Sequence, residues 1–230
     1  MKSFAIVASL LLATATVPAA IAQDKHSWDN LLRVKAKKMD AVYLLPQADF
    51  RGYTKVMLDP TQVAMRKDWK RDRNNETVGI FEDVTDRDVT RILTEARTGF
   101  EKLLREAYTK AGYQIVTEPA ADVLRIETAV VDIDVEAPDT MSAGMTRVYT
   151  HEAGGAVLVV EARDSVTGAV LGRAVDGDTT GDLGPYLRNR ATNTGEFEQL
   201  FSHWAKVSVD GLAELKQLSP VDAQGRLAKR

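Results

Sequence analysis

Beyond residue 40, apolar and polar positions fall into short alternating runs separated by two long stretches of helical period. Ala41 to Leu45 and Tyr53 to Leu58 are rich in β-branched and aromatic residues and stop at Pro46 and at Asp59-Pro60, so both read as strands. Gln62 to Met65 adds a short edge strand, and the charged run from Arg66 to Asn75 reads as a solvated loop. From Asp86 to about Ala111, the residues Val89, Ile92, Leu93, Ala96, Phe100, Leu103, Leu104, Ala107 and Ala111 recur at three- and four-residue steps. That spacing predicts one helix with a continuous apolar face. Thr85 caps it while Asp88 reaches back, and Gly112 supplies a left-handed stop.

A block of strands follows. Tyr113 to Thr117 and Asp122 to Glu136 are β-rich, and the second run changes face: Leu124, Ile126 and Val130 share one parity, Val131, Ile133 and Val135 the other. An extra residue near Ala129 reconciles the halves, because a one-residue shift exchanges the buried side. Gly155 to Arg163 and Ala169 to Val175 flank Asp164-Ser-Val-Thr-Gly168, a hairpin whose turn Asp164 starts and Gly168 closes with positive φ. A Gly- and Asp-rich loop is expected from Asp176 to about Pro185. A last helix then opens at Asn193 with Glu196 reaching back, burying Phe197, Leu200, Phe201, Trp204, Ser208, Leu212 and Leu215. The order predicts an α+β fold: a single mostly antiparallel sheet with two long helices packed on one face.

The first 22 residues have a different character. Lys2, the apolar run Phe4 to Ala13, Pro18 and Ala20-Ile21-Ala22 form a secretory signal peptide, with cleavage leaving Gln23 first. The rival reading, an uncleaved anchor, gains nothing from an Ala-x-Ala end. Residues 23–40 are polar and mostly basic, with Arg33, Lys35, Lys37 and Lys38, and read as a flexible lead-in. Residues 41–218 are expected to form a single domain with a tail from 219 to 230, since that length suits one core.

Composition removes several classes. Hydrophobic residues are 44% and charged residues 27% of the chain, as in an ordinary globular protein. The formal net charge is −3, and loss of Lys2 makes it about −4, too small to imply a polyanionic partner such as nucleic acid. Cysteine is absent, which excludes disulfides, thiolate metal sites and a lipid-bearing cysteine anchor.

Three segments together resemble a known family. Tyr53-Thr-Lys-Val-Met-Leu-Asp-Pro-Thr-Gln-Val63, the hairpin Glu161 to Leu171, and Trp204 in the final helix are similar to successive blocks of the bacterial domain-of-unknown-function family thirty-three thirteen. The resemblance spans most of residues 40–216. It implies an exported envelope protein, often a lipoprotein, and the family has no assigned activity or catalytic residues. This chain departs from it in lacking the lipid-accepting cysteine.

Three clusters are candidate sites. Asp132, Asp134 and Glu136 alternate along a strand, so they stand in a row about 7 Å apart. Carboxylates at such separations suit glycoside hydrolysis only when they face each other across the bond, whereas neighbours on one strand project in parallel. A solvated acidic face or partner patch is the plainer reading. Asp176, Asp178 and Thr180 occupy the first, third and fifth positions of an EF-hand-like loop that also holds Gly181 and Asp182, but Leu187 stands where the twelfth-position Glu belongs. An Asp/Gly-rich connection is the simpler account. Arg66, Lys67, Lys70, Arg71 and Arg73 surround Trp69, a pattern that suits an anionic envelope surface, against the alternative of a solvated loop whose indole packs on the sheet. His26, His151 and His203 are far apart, and no HExxH, GxSxG, Walker or dinucleotide motif occurs.

The expectation is therefore a periplasmic or secreted protein with a non-enzymatic binding or structural role, using no cofactor and no metal. Its expected partners are another envelope protein or an anionic envelope surface. The alternatives are an envelope-glycan hydrolase using Asp132, Asp134 or Glu136, and a cation or small-molecule binder using the Asp176 loop.

Overall fold

The computed structural model describes residues 27–76, 83–135, 148–150, 154–180, 186–188, 190–224 and 227, so the segment expected to be a signal peptide lies outside the described residues. In chain order the strands are β1 (Ser27–Trp28), β2 (Leu31–Val34), β3 (Ala41–Leu44), β4 (Lys55–Leu58) and β5 (Gln62–Met65), followed by helices α1 (Trp69–Glu76) and α2 (Asp86–Lys110). Then come β6 (Gln114–Ile115), β7 (Val123–Val135), β8 (Val148–Thr150), β9 (Gly154–Asp164), β10 (Val170–Thr180), β11 (Tyr186–Arg188) and α3 (Arg190–Leu218).

Nine strands form one sheet in the order β1-β2-β3-β10-β9-β7-β4-β6, with β5 also paired to β7, and β8 and β11 form a separate antiparallel pair. The large sheet is mixed rather than mostly antiparallel. β7 runs antiparallel to β9 but parallel to β4 and β5, and β4 runs parallel to β6. Crossover through α2 produces this arrangement, because parallel strands need a long connection between them. β4 and β5 are two pieces of one edge along β7, parted at Pro60, which has no N–H to give a ladder. At the gap, buried Thr61 donates its N–H to Glu101 at 2.8 Å, and its hydroxyl meets that of Thr128 at 2.8 Å.

Local signals explain α2. The Thr85 hydroxyl accepts from the Asp88 N–H, and the Asp88 carboxylate accepts from the Thr85 N–H, a capping box that satisfies two N–H groups at the helix start. Gly112 has φ 89° after the last turn. α2 buries Phe100, Leu104 and Tyr108, α3 buries Leu200, Phe201, Trp204 and Leu212, and the rings of Phe100 and Phe201 meet edge to face at 5.5 Å. These residues share one core with Leu124, Ile126, Leu158 and Val160 of the sheet.

Several segments differ from the sequence expectation. The lead-in carries β1 and β2, with Leu31 fully buried. The tail contains buried Val221, whose N–H donates to Ala48 at 2.9 Å and whose carbonyl accepts from the Gln47 N–H. The solvated loop contains α1, held by buried Trp69 and by Asn74, whose side chain both accepts from and donates to the Val84 backbone. A helix charged on nearly every face shows no period, so its sequence reads as loop. β10 continues through Thr180 where a loop was expected, and α3 begins at Arg190 rather than near Asn193. The bulge in β7 lies between Val131 and Asp134, with Asp132 at φ 51°, not at Ala129.

Candidate functional site

Two of the basic candidates, Arg66 and Arg73, meet one of the acidic candidates, Asp134. Arg66 donates from Nε to Asp134 at 2.7 Å and pairs with Asp72 at 3.0 Å, and Arg73 lies 4.0 Å from Asp134. These bonds hold the Arg66 guanidinium above its usual pKa, the Asp72 bond contributing most. Arg71 pairs with Asp72 and Asp68, and Lys70 pairs with Asp86 at 2.7 Å. Trp69 is 1% exposed and donates its indole N–H to the Val135 carbonyl at 3.2 Å, which makes it core rather than an exposed headgroup contact. Lys67 is exposed.

The acidic row is broken by the bulge. Asp132 sits exposed in the left-handed region, which Asp tolerates better than most residues, while Asp134 faces Arg66. Glu136 lies outside the described residues, as do Gly181 and Asp182 of the proposed calcium loop. Asp176, a strand residue, points into the core at 9% exposure, where Oδ2 accepts from the Trp204 indole at 2.9 Å and Oδ1 from the Asp40 N–H at 3.1 Å. Its two oxygens are thus occupied by protein donors. Burial raises the Asp176 carboxyl above the usual range, and the Trp204 bond partly offsets this. Exposed Asp178 accepts from the neighbouring Thr179 N–H, and Thr180 ends β10. His203 is exposed, and His26 and His151 are outside the described residues.

The sequence reading missed two features that only contacts between distant segments create. The first is a chain of alternating charges. Arg173 bridges Asp29, at 3.1 Å, to Glu161, Glu161 pairs also with Arg163, and Arg163 reaches Glu127 at 3.2 Å. Arg125 then joins Glu127 at 3.4 Å to Asp59 at 2.6 Å. Because Arg173, Glu161 and Glu127 lie opposite one another in register, the chain crosses the sheet on one face, and Trp28 lies over the Arg173 guanidinium at 4.0 Å.

The second is an apolar cleft of about 380 Å³ between the sheet and α3. Leu124, Ile126, Val160, Ala162, Gly172 and Ala174 form its floor, and Val207, Ser208, Gly211, Leu212 and Leu215 of α3 form a wall, joined by Tyr108 of α2. Ala162, Ala174 and Gly211 are small where the floor and wall face each other, whereas the room over Gly172 is taken by Leu44, 2.9 Å from where a Cβ would stand. The Tyr108 hydroxyl is satisfied by Ser208 at 2.9 Å, and burial pushes its pKa up to about 12. Half-buried Val34, Met39, Val42 and Ala174 show that the cleft opens to solvent.

The loop between β2 and β3 forms the rim. It brings Lys35, Lys37 and Lys38 to the opening, opposite Glu214 of α3. Two anchors hold it: Lys38 reaches Asp210 on α3 at 3.4 Å, and Asp40 accepts from the Gly177 N–H at 3.0 Å while its own N–H donates to Asp176. Lys35 and Lys37 are exposed and carry no ion pair among the described residues. Hydrophobic spacing marked these apolar positions as core, and no pattern along the chain signals that a volume among them is left unfilled.

No curated protein matches the chain in sequence. Among solved structures it is similar to protein XCC0632 from Xanthomonas campestris, of family DUF330, with 14% identity, a TM-score of 0.38, and coverage of 75% of this chain and 88% of that one. The PelC dodecamer from Paraburkholderia phytofirmans gives 12% identity, a TM-score of 0.32, and coverage of 70% and 95%. A minor lipoprotein from Acinetobacter baumannii gives 10%, 0.28, 69% and 94%. Likenesses this slight carry no argument about function. The family model is decisive: it matches residues 22–208, and the chain belongs to the family described as a protein of unknown function, DUF3313.

Proposed function

We propose that this chain is an exported, non-enzymatic binding domain of the bacterial envelope whose site is the cleft between α3 and the sheet. The carrying observation is the cleft itself: about 380 Å³ of space lined mostly by apolar side chains, with Lys35, Lys37, Lys38 and Glu214 at its rim and Arg173 beside the floor engaged by Glu161 and Asp29. Small-molecule sites have this make-up, with mostly apolar walls and a few polar groups that orient the ligand. The reading treats α2 and α3 as the cover of one sheet face, so the ligand lies between cover and sheet within a single domain. Export rests on the leader, Lys2 through Ala22, with removal leaving Gln23 first. Among the described residues, no helix is long and apolar enough to cross a membrane.

The test is titration with a neutral apolar dye such as Nile red. One dye per chain is expected, and Gly211→Leu is expected to abolish it. Gly211 lines the cleft and a Cβ there meets nothing within 4 Å, so the helix has room for a side chain at this position. A helix gains up to about 1 kcal/mol when an interior glycine is replaced by a good helix former, so the variant should fold at least as stably as wild type. A stable Gly211→Leu that binds dye like wild type would contradict the reading.

A further inference from the structure

Resting on the binding reading, we propose that the ligand is a single-chain acyl carboxylate, its tail along the floor of Ala162 and Ala174 and its head at Lys35 and Lys37. Two observations carry this beyond a generic apolar site. First, the polarity of the cleft is split by depth. The floor and inner wall are lined by apolar side chains apart from Tyr108 and Ser208, hydrogen-bonded to each other at 2.9 Å, and Arg173, whose guanidinium is paired with Glu161 and Asp29. A ligand with polar groups along its length would bury them without partners, at a desolvation penalty, whereas a hydrocarbon tail loses nothing.

Second, the charge at the rim is unequal. Three lysines stand there against Glu214, and Lys38 is engaged by Asp210, yet Lys35 and Lys37 carry no ion pair among the described residues. An anionic head would meet two free ammonium groups, and a cationic head of the same size would meet repulsion. The β3 end of the rim loop is also held before any ligand arrives, because Asp40 bonds to β10 and Lys38 to α3. Pre-arrangement of this kind lowers the ordering cost of binding. The open geometry of the rim suits a head that stays hydrated and a tail that enters.

The experiment is displacement of Nile red from the protein purified after expression of the full chain, by decanoate, dodecanoate and tetradecanoate below micellar concentrations. Dodecanol and dodecyltrimethylammonium serve as the neutral and cationic comparisons. Each added methylene should tighten binding roughly fourfold until the cleft is full. Dodecanoate should bind at least about tenfold more tightly than the ammonium compound, and that margin should shrink as salt is raised. The double variant Lys35→Ala with Lys37→Ala should weaken dodecanoate within the roughly two- to thirtyfold that two exposed ion pairs supply, and should leave dodecanol within about twofold. Equal displacement by carboxylate, alcohol and ammonium would overturn the anionic assignment while the binding function stood. Failure of all three, together with dye binding that Gly211→Leu does not disturb, would overturn both.

Discussion

The Trp204 indole N–H donates to Asp176 Oδ2 at 2.9 Å, a buried bond that ties the middle of α3 to β10 and, through the Asp40 N–H on Oδ1, to the loop over the cleft. Trp204 is fully buried and stacks on Phe201, so its ring serves the core and its nitrogen serves the carboxylate. Removing only the nitrogen separates the two roles. Trp204→Phe should cost about 1 to 3 kcal/mol beyond the change in packing, because a buried carboxylate loses a donor. A urea melt checks this, and a cost no larger than that of Phe201→Leu would place the indole bond among the dispensable ones.

Asp176 also makes a signed prediction about pH. Burial raises its carboxyl pKa in the folded state, so the stability it contributes is fully present below the unfolded value of 3.8 and is lost as pH rises through the folded value. Asp164 has the opposite sign. Donation from the Thr167 backbone and hydroxyl, the Tyr53 hydroxyl and the Val166 N–H lowers its pKa, so its contribution is present above 3.8 and lost as pH falls. Between about pH 3 and pH 7, the stability of Asp176→Asn relative to wild type should therefore move in the variant's favour as pH rises, and that of Asp164→Asn should move against it. Denaturant midpoints across this range decide it. Parallel curves for both variants would remove the opposed shifts.

The Arg66–Asp134 pair reverses the simplest expectation for an acidic row. A solvated row gains from neutralisation, since like charges repel. Here Asp134 accepts from Arg66, with side-chain exposures of 25% and 35%, so Asp134→Ala should destabilise by about 1 kcal/mol. Asp132→Asn should be neutral to within about 0.5 kcal/mol, because Asn tolerates the φ of 51° equally well. Equal effects at the two sites in a chemical melt would mean that the bulge does not separate them.

Legibility followed the range of the interactions. The cap of α2 and the Asp164 turn are closed within a few residues, and both stand where the residue types put them. The β7 bulge was recognisable in kind but misplaced, because polar Thr128 interrupts the hydrophobic alternation although it points inward. It is satisfied there by Thr61, a partner 67 residues away. The parallel pairing of β7 with β4 and β5 and the charge chain from Asp29 to Asp59 depend on strand order, which local periodicity does not encode. Asp176 looked like a loop ligand because its donor, Trp204, lies 28 residues on. The cleft is the extreme case, since each of its walls reads as ordinary core.

A crystal of the protein grown with ω-bromododecanoate tests the central claim most directly, because the anomalous signal of bromine fixes the tail without assumption. The account predicts bromine density between Ala162 and Gly211, with the carboxylate near Lys35 and Lys37, and no such density in Gly211→Leu. Bromine found elsewhere on the molecule, with the space beneath α3 unoccupied by ligand, would contradict it.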